Sequence, residues 1–388
     1  MARFQAGKPS GTAVAELELL VRTAIFKPAT AMVGYLLQAA ADQIDEAYQA
    51  NPGQVRKTRV PIQVQCLFGS FELRRDYYYH EGKKQGHYPA DAALGLEIGY
   101  TPALAKLLCL EGADETTYLK AQRHLEQTGG IPVSARQIQR VVQRVGGAAQ
   151  QWQERSAEPG QCQRSKAPIM YVSGDGTGVP MVTEELAGRK AKQSDGKAKT
   201  RQVYLGCVFT QHRVDEEGRP VRDWESTTYV SSFKPIDHFG PLLRREALRR
   251  GMGSKEHPNY KRQLSSWTKR LLKDKVEILI KETRKKCRGT PQAEQVEQAL
   301  HYFTSNVTRM QYGTFRAAGY FIGSGVVEAG CKTVIGARCK QSGMFWSESG
   351  AENVLALRCI NTSRRLDDFW KYRLNAKSAS NDCLPLAA

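Results

Sequence analysis

The sequence predicts a chain of the α+β or α/β class, and three observations carry that prediction. Apolar residues recur at helical spacing over residues 1–50 and again over 101–147. Between these blocks, residues 54–80 switch to strand-like alternation around Gly69-Ser70. After residue 168 short apolar runs alternate with turn residues and then give way to a helical run at 238–251.

Taken in order, residues 1–53 form an N-terminal helical region. Val14, Leu17, Leu19, Leu20, Ala24 and Ile25 make one apolar face, and Met32, Tyr35, Leu36, Ala39 and Ile44 make another. Pro28 is predicted to bend or separate two helices, because it lacks an amide hydrogen and its ring clashes with the preceding turn. This region carries no chemistry and is assigned to packing or to a homo-oligomer contact. Residues 54–100 are a β-hairpin region. Val60, Ile62 and Val64 alternate before the turn, and the second strand runs to Tyr79. Arg74 and Arg75 beside Tyr77, Tyr78 and Tyr79 suit phosphate contact and base stacking; a half-buried strand with a tyrosine face explains them equally well. His80 and His87 stand without cysteines, so no zinc site is predicted.

Residues 101–147 read as a helix-turn-helix. Helical runs cover Ala103–Leu110 and Glu115–Gln127, Thr128-Gly-Gly-Ile-Pro132 makes the turn, and Ser134 caps a third run from Ala135 to Val145. Ile138, Val141, Val142 and Val145 form its apolar face. Arg136, Gln137, Arg140 and Arg144 lie on its polar face, and Arg and Gln suit guanine and adenine edges in the major groove. A plain three-helix bundle with a solvated basic face gives the same spacing. Residues 148–167, with Pro159-Gly160, read as a linker.

From Pro168 an apolar strand is predicted to end in Asp175, followed by Gly176-Thr-Gly178, glycines that leave the backbone open to a phosphate or cation. Further strands are expected over Arg201–Arg213 and Glu225–Phe233, separated by the Asp215–Pro220 turn, and a helix over 238–251. The basic loop Arg189–Arg201 offers backbone contact to a polyanion, or is simply solvated. Near the C-terminus Glu328 stands alone among small, apolar and basic residues, with Lys332, Arg338 and Lys340 after it. Ser324 is placed to cap a helix there, and Glu328 to complement its dipole. Gly330 and Gly336 lower helix propensity by about 1 kcal/mol each and so mark a close approach.

The stretches Gly323-Ser-Gly-Val-Val-Glu-Ala-Gly-Cys-Lys-Thr-Val-Ile-Gly336, Lys340-Gln-Ser-Gly-Met-Phe-Trp346 and Gly174-Asp-Gly-Thr-Gly-Val-Pro-Met181 resemble the signatures of ISKra-type insertion-sequence transposases, a family of DDE-type DNA transposases. Arg358-Cys359 and Asp367-Asp-Phe-Trp370 add a weaker match, and the likeness runs from about Phe68 to about Tyr372. The resemblance implies an RNase H-like catalytic domain over 168–375, a mixed sheet flanked by helices, with a tail at 376–388. It implies Asp175 as the first and Glu328 as the third metal-binding acid, with Mg2+ or Mn2+ in a two-metal site, and Lys332, Arg338 and Lys340 steadying phosphates. Trp346 either stacks on a base or fills the core.

One part of that pattern is absent. The family places a short apolar strand ending in the second acid after the 238–251 helix. Here Met252–Leu264 contains no apolar run of strand length, which reads as an internal deletion. Two-metal phosphoryl transfer holds its cations about 3.5–4 Å apart between carboxylates, so the missing acid bears directly on catalysis. Asp237 is the sole substitute candidate. Asp215, Asp223 and Asp274 read as surface residues.

Composition agrees with a nucleic-acid partner. The 388 residues include 57 Lys and Arg against 39 Asp and Glu, a net charge of +18, which favours a polyanion such as double-stranded DNA at element ends and target. No apolar run spans a membrane and no signal peptide opens the chain. The nine cysteines are scattered without a Cys-x-x-Cys pair, so reduced thiols and a cytoplasmic, nucleoid-associated location are expected.

Overall fold

The computed structural model describes residues 11–155, 169–188, 199–251, 312–321 and 323–379, with scattered positions between 284 and 309. The fold is mixed α+β with antiparallel sheets. The chain divides into two units. The first comprises Met1–Trp152 with Ala337–Ala388, and the second Gln153–Gly336.

The first unit begins with α1 (Gly11–Ala47), one helix that passes through Pro28. The two predicted helices are therefore continuous. Pro28 and Ala24, whose carbonyl its missing amide leaves free, both lie on the exposed side, where water can accept the loss. The other side of α1 packs on the hairpin β1 (Gln54–Gln65) and β2 (Ser70–His80), paired from Gln54 opposite His80 to Gln65 opposite Ser70 with a bulge between Lys57 and Val60. Ala41, Ile44, Val64, Leu73, Ala90 and Leu96 are its core. A short third strand not expected from sequence, β3 (Gln85–His87), extends the sheet beside β2, and α2 (Pro89–Ala93) follows.

Three helices come next: α3 (Pro102–Asp114), α4 (Tyr118–His124), which widens into a π-type turn over Leu125–Gly129, and α5 (Ala135–Glu154). The turn closes at Gly130, whose left-handed φ of 59° ends the helix. Ile138, Val141, Val142 and Val145 are buried as their spacing predicts. α5 does not stop at Val145. A side chain on Gly146 would strike Asn353 at 2.5 Å, so this glycine allows a close crossing inside the helix. Residues 148–154 of the predicted linker are thus helical, and its residues 156–167 lie outside the described set.

In the second unit β4 (Ile169–Pro180) and β5 (Thr200–Val214) form a long antiparallel pair, and β6 (Pro220–Arg222) and β7 (Thr228–Ser232) share the other edge of β5. β4 and β7 both run antiparallel to β5 and so parallel to each other. Alternation along the strands sends Tyr171, Cys207, Phe209 and Tyr229 to one face and Tyr204 and Val230 to the other. The second face is covered by α6 (Ile236–Arg249), whose Leu243 approaches the cross-strand pair Gly174 and Gly206; a Cβ on Gly206 would meet it at 2.5 Å. After α7 (Tyr312–Ala317), the first face is covered by α8 (Gly325–Gly330), which continues through a π-type stretch, Cys331–Gly336.

The C-terminal elements α9 (Ala337–Cys339), α10 (Glu348–Thr362) and α11 (Leu366–Ala379) belong to the first unit. The single domain expected over 168–375 therefore ends at Gly336. The physical reason is burial: Val354, Leu355, Leu357 and Ile360 of α10 are core residues, and α10 packs on α3. The segment 252–264, Asp274, most of the basic loop and the end of the 376–388 tail lie outside the described residues. Among the described residues no helix is long and apolar enough to cross a membrane.

Candidate metal-binding carboxylates and basic surfaces

Asp175 is exposed and lies within β4, opposite Leu205 of β5. The strand does not end at this acid as predicted; its pairing with β5 carries on to Pro180. Gly176 and Gly178 are strand residues too, and the space beside them is taken by the side chains of Gln202 and Thr200. They form no open cradle.

Asp175 shares the sheet face of Tyr171 and Cys207, the face that α8 covers. Gly330 makes that cover possible, since a Cβ there would meet Tyr229 at 2.7 Å and Leu205 at 3.0 Å. Gly336 has no such role: its nearest neighbour, the Cys331 carbonyl, stands at ordinary contact distance. The approach sets the Cys331 thiol 3.8 Å from Asp175 Oδ2, a weak S–H donation. The other carboxylate oxygen, Oδ1, accepts from the Gly176 amide at 2.8 Å. Glu328 lies three residues before Cys331, and residues at that spacing are neighbours on a helix surface. Asp175 and Glu328 are thus both exposed, one on the sheet face that α8 covers and the other one helical turn from the residue that touches it.

Ser324 occupies the N-cap of α8, but its hydroxyl does not cap an amide. It donates to Glu328 Oε1 instead, so it orients the acid rather than the helix. Asp237 does not join this pair: it sits in the first turn of α6, on the opposite face of the sheet. Asp215 and Asp223 accept backbone amides within their own turns. Among the described residues no His, Cys, Asp or Glu completes a closely spaced set of three around Asp175 and Glu328.

The predicted basic residues divide sharply. Arg136 and Arg140 are exposed on α5. Gln137 is occupied by a capping box: its side chain accepts from the Ser134 amide at 3.0 Å, and its own amide donates to Ser134 Oγ at 3.3 Å. Arg144 is exposed but lies 3.5 Å from the buried carboxylate of Glu97. Lys332 and Lys340 are exposed.

Arg338 contradicts its prediction. It is 1% exposed, its guanidinium lies 4.5 Å from the Tyr118 ring centre and 4.9 Å from that of Trp346, and it donates to the carbonyls of Gly112 and Thr116 at 3.3 Å. It cannot reach a phosphate without unfolding this pocket. Burial lowers its proton affinity, and the rings and carbonyls compensate in place of a carboxylate. Trp346 fills this core and does not present a face to a base. Arg75 of the hairpin is also consumed internally, bonded to Asp91 at 2.9 Å and stacked 3.7 Å from the Tyr88 ring centre, while Arg74 pairs with Glu72.

Sequence reasoning missed a second polar cluster. Glu111 and Glu115 of adjoining turns meet His124 of α4, with ligand atoms within 4.8 Å of one another. Glu111 Oε2 lies 2.6 Å from His124 Nδ1, and this hydrogen bond raises the imidazole above its ordinary range. The i, i+4 pair of acids was visible in the sequence; the histidine joins it only through the turn between α3 and α4.

The sequence profile of the Uncharacterised protein family (UPF0236) matches residues 9–194 of this chain. The match includes Asp175 and stops well before Glu328. No curated protein matches the chain.

Proposed function

We propose that this chain derives from an ISKra-type insertion-sequence transposase and acts on double-stranded DNA. On this reading β4–β7 with α6 and α8 are an RNase H-like core, and α3–α5 are a helix-turn-helix that meets DNA through Arg136 and Arg140. The observation that carries the proposal is the packing of α8 on the sheet face that bears Asp175, with the Cys331 thiol 3.8 Å from Asp175 and Glu328 one helical turn from Cys331. Asp175 and Glu328 are the two acids that the resemblance assigns to the metal site.

The donor set suits a hard cation. Two exposed carboxylates supply oxygen ligands and leave room for water, as Mg2+ or Mn2+ prefers. Asp175 and Glu328 would hold the ion, and a bound ion would supply charge stabilisation at a scissile phosphate and activation of water. Ser324 orients Glu328, the Gly176 amide fixes Asp175, and Lys332 adds positive charge two turns along from the cap. The reaction would be hydrolysis of a phosphodiester at the element end, followed by attack of the freed 3′-hydroxyl on target DNA.

A second reading is favoured by a specific observation, the position of Asp237 away from the pair together with the lack of another close acid among the described residues. On that reading the chain is a DNA-binding remnant of such an enzyme without its nuclease activity. Metal-dependent cleavage of an element-end duplex separates the two. Cleavage that requires Mn2+ or Mg2+ and disappears in Glu328→Gln supports an active transposase. Binding of element ends without cleavage supports the remnant. Equal affinity for element ends and random duplex in a competition shift assay rejects both in favour of a basic protein that coats DNA.

A further inference from the structure

We propose that the outer face of α1 pairs with the same helix of a second copy of this chain as a two-helix coiled coil. α1 has two apolar sides, and the described residues cover only one. Phe26, Gly34, Leu37, Ala41 and Ile44 face the hairpin. On the other side Val14, Val21, Ile25, Met32, Tyr35 and Leu36 remain between 42% and 75% exposed.

Val14, Val21, Ile25, Met32 and Tyr35 follow a heptad, and the exposed Leu19, Leu20 and Leu36 fall beside it. Val14, Val21, Pro28 and Tyr35 stand seven apart, and Glu18, Ile25, Met32 and Ala39 form the interleaved series. Glu18 is the one polar member of these eight positions. A seam that alternates steps of three and four is what knobs-into-holes packing of a second helix requires. Polar solvent gives no reason for such a pattern, and the hairpin already takes the other side.

Charge selects the partner. The chain as a whole is at +18, so two copies repel over most of their surfaces. Residues 11–41 carry Glu16, Glu18, Arg22 and Lys27 and are neutral. This segment lets like chains approach. An anionic membrane surface fits poorly, because a membrane-lying helix flanks its apolar side with several Lys and Arg. A twofold pairing puts the same patch on both copies.

The test is sedimentation equilibrium of the full chain, nuclease-treated, in about 0.5 M salt so that surface electrostatics are screened. The expected mass is twice the 43.3 kDa of one chain. The double substitution Ile25→Glu with Met32→Glu should halve that mass, and so should Ile25→Lys with Met32→Lys. Mixing the Glu and Lys chains should restore it, since opposite charges then face each other across the seam. Restoration also guards against a variant that merely misfolds. A monomeric wild-type chain, a dimer that survives both substitutions, or mixed chains that stay monomeric would each overturn the proposal.

Discussion

Arg338 and Asp175 lie in different units and meet opposite surroundings. Arg338 is enclosed by two aromatic rings and two backbone carbonyls. Asp175 stands in the open with one amide and one thiol for company. Both belong to stretches that read as one site in sequence. The difference shows that a basic residue in a signature can serve the core, whereas an acid of the same signature can stay exposed. Charge type alone does not tell the two uses apart; enclosure by apolar neighbours does.

Four measurements sharpen or break this contrast. The largest effect is expected at the acids. Asp175→Asn and Glu328→Gln should each lower metal-dependent strand cleavage at least a thousandfold, roughly 4 kcal/mol of barrier, with melting temperature almost unchanged because both positions are exposed. A large drop in melting temperature would mean the acids are structural after all. Next comes Arg338→Met, which leaves the Gly112 and Thr116 carbonyls without their donor and loses the ring contacts. A loss of about 3 kcal/mol in denaturant unfolding of the first unit is expected. An unchanged midpoint, with weakened DNA binding, would return Arg338 to the surface role its sequence context suggests.

Asp45 offers a third test, of intermediate size. It is buried beneath the hairpin, where it accepts the Asp76 amide at 2.8 Å, and burial pushes its carboxyl up to about 6. A raised acid binds its proton more tightly in the folded state, so folding is favoured below the ordinary value and loses stability as pH rises from about 4 through about 6. Asp45→Asn should therefore be near neutral at pH 4 and stabilise by about 1–2 kcal/mol at pH 8. Equal stability of variant and wild type across that range would refute the burial cost. The smallest effect is expected on DNA. Replacing exposed Arg136 or Arg140 by Ala should reduce the slope of log affinity against log salt by about 1 per residue, whereas Gln137→Ala should act on helix stability through its cap and leave the slope alone.

Much of the local structure was legible because it rests on short-range periodicity. The hairpin over 54–80 and the buried stripe of Ile138, Val141, Val142 and Val145 followed from alternation and helical spacing. The failures share a different cause. Pro28, Gly146 and Gly176 are all residues that commonly interrupt an element, and each lies inside one because a long-range neighbour or solvent removes the penalty. Tertiary context also decided the fate of Arg338, and it decided the meeting of His124 with Glu111. No local pattern reports either, since the contacts join residues that are distant or separated by a turn.

The first unit is closed by residues from both ends of the chain. Arg338 donates to the Gly112 carbonyl 226 positions away, Arg358 to that of Ala113 across 245, and Arg373 pairs with Glu97 across 276. During synthesis the helices α3 to α5 thus leave the ribosome long before α9 to α11 exist to cover them. The first unit can finish folding only after residues 337–373 have been made, so a nascent chain short of them exposes the apolar flank of α3 to chaperones and proteases.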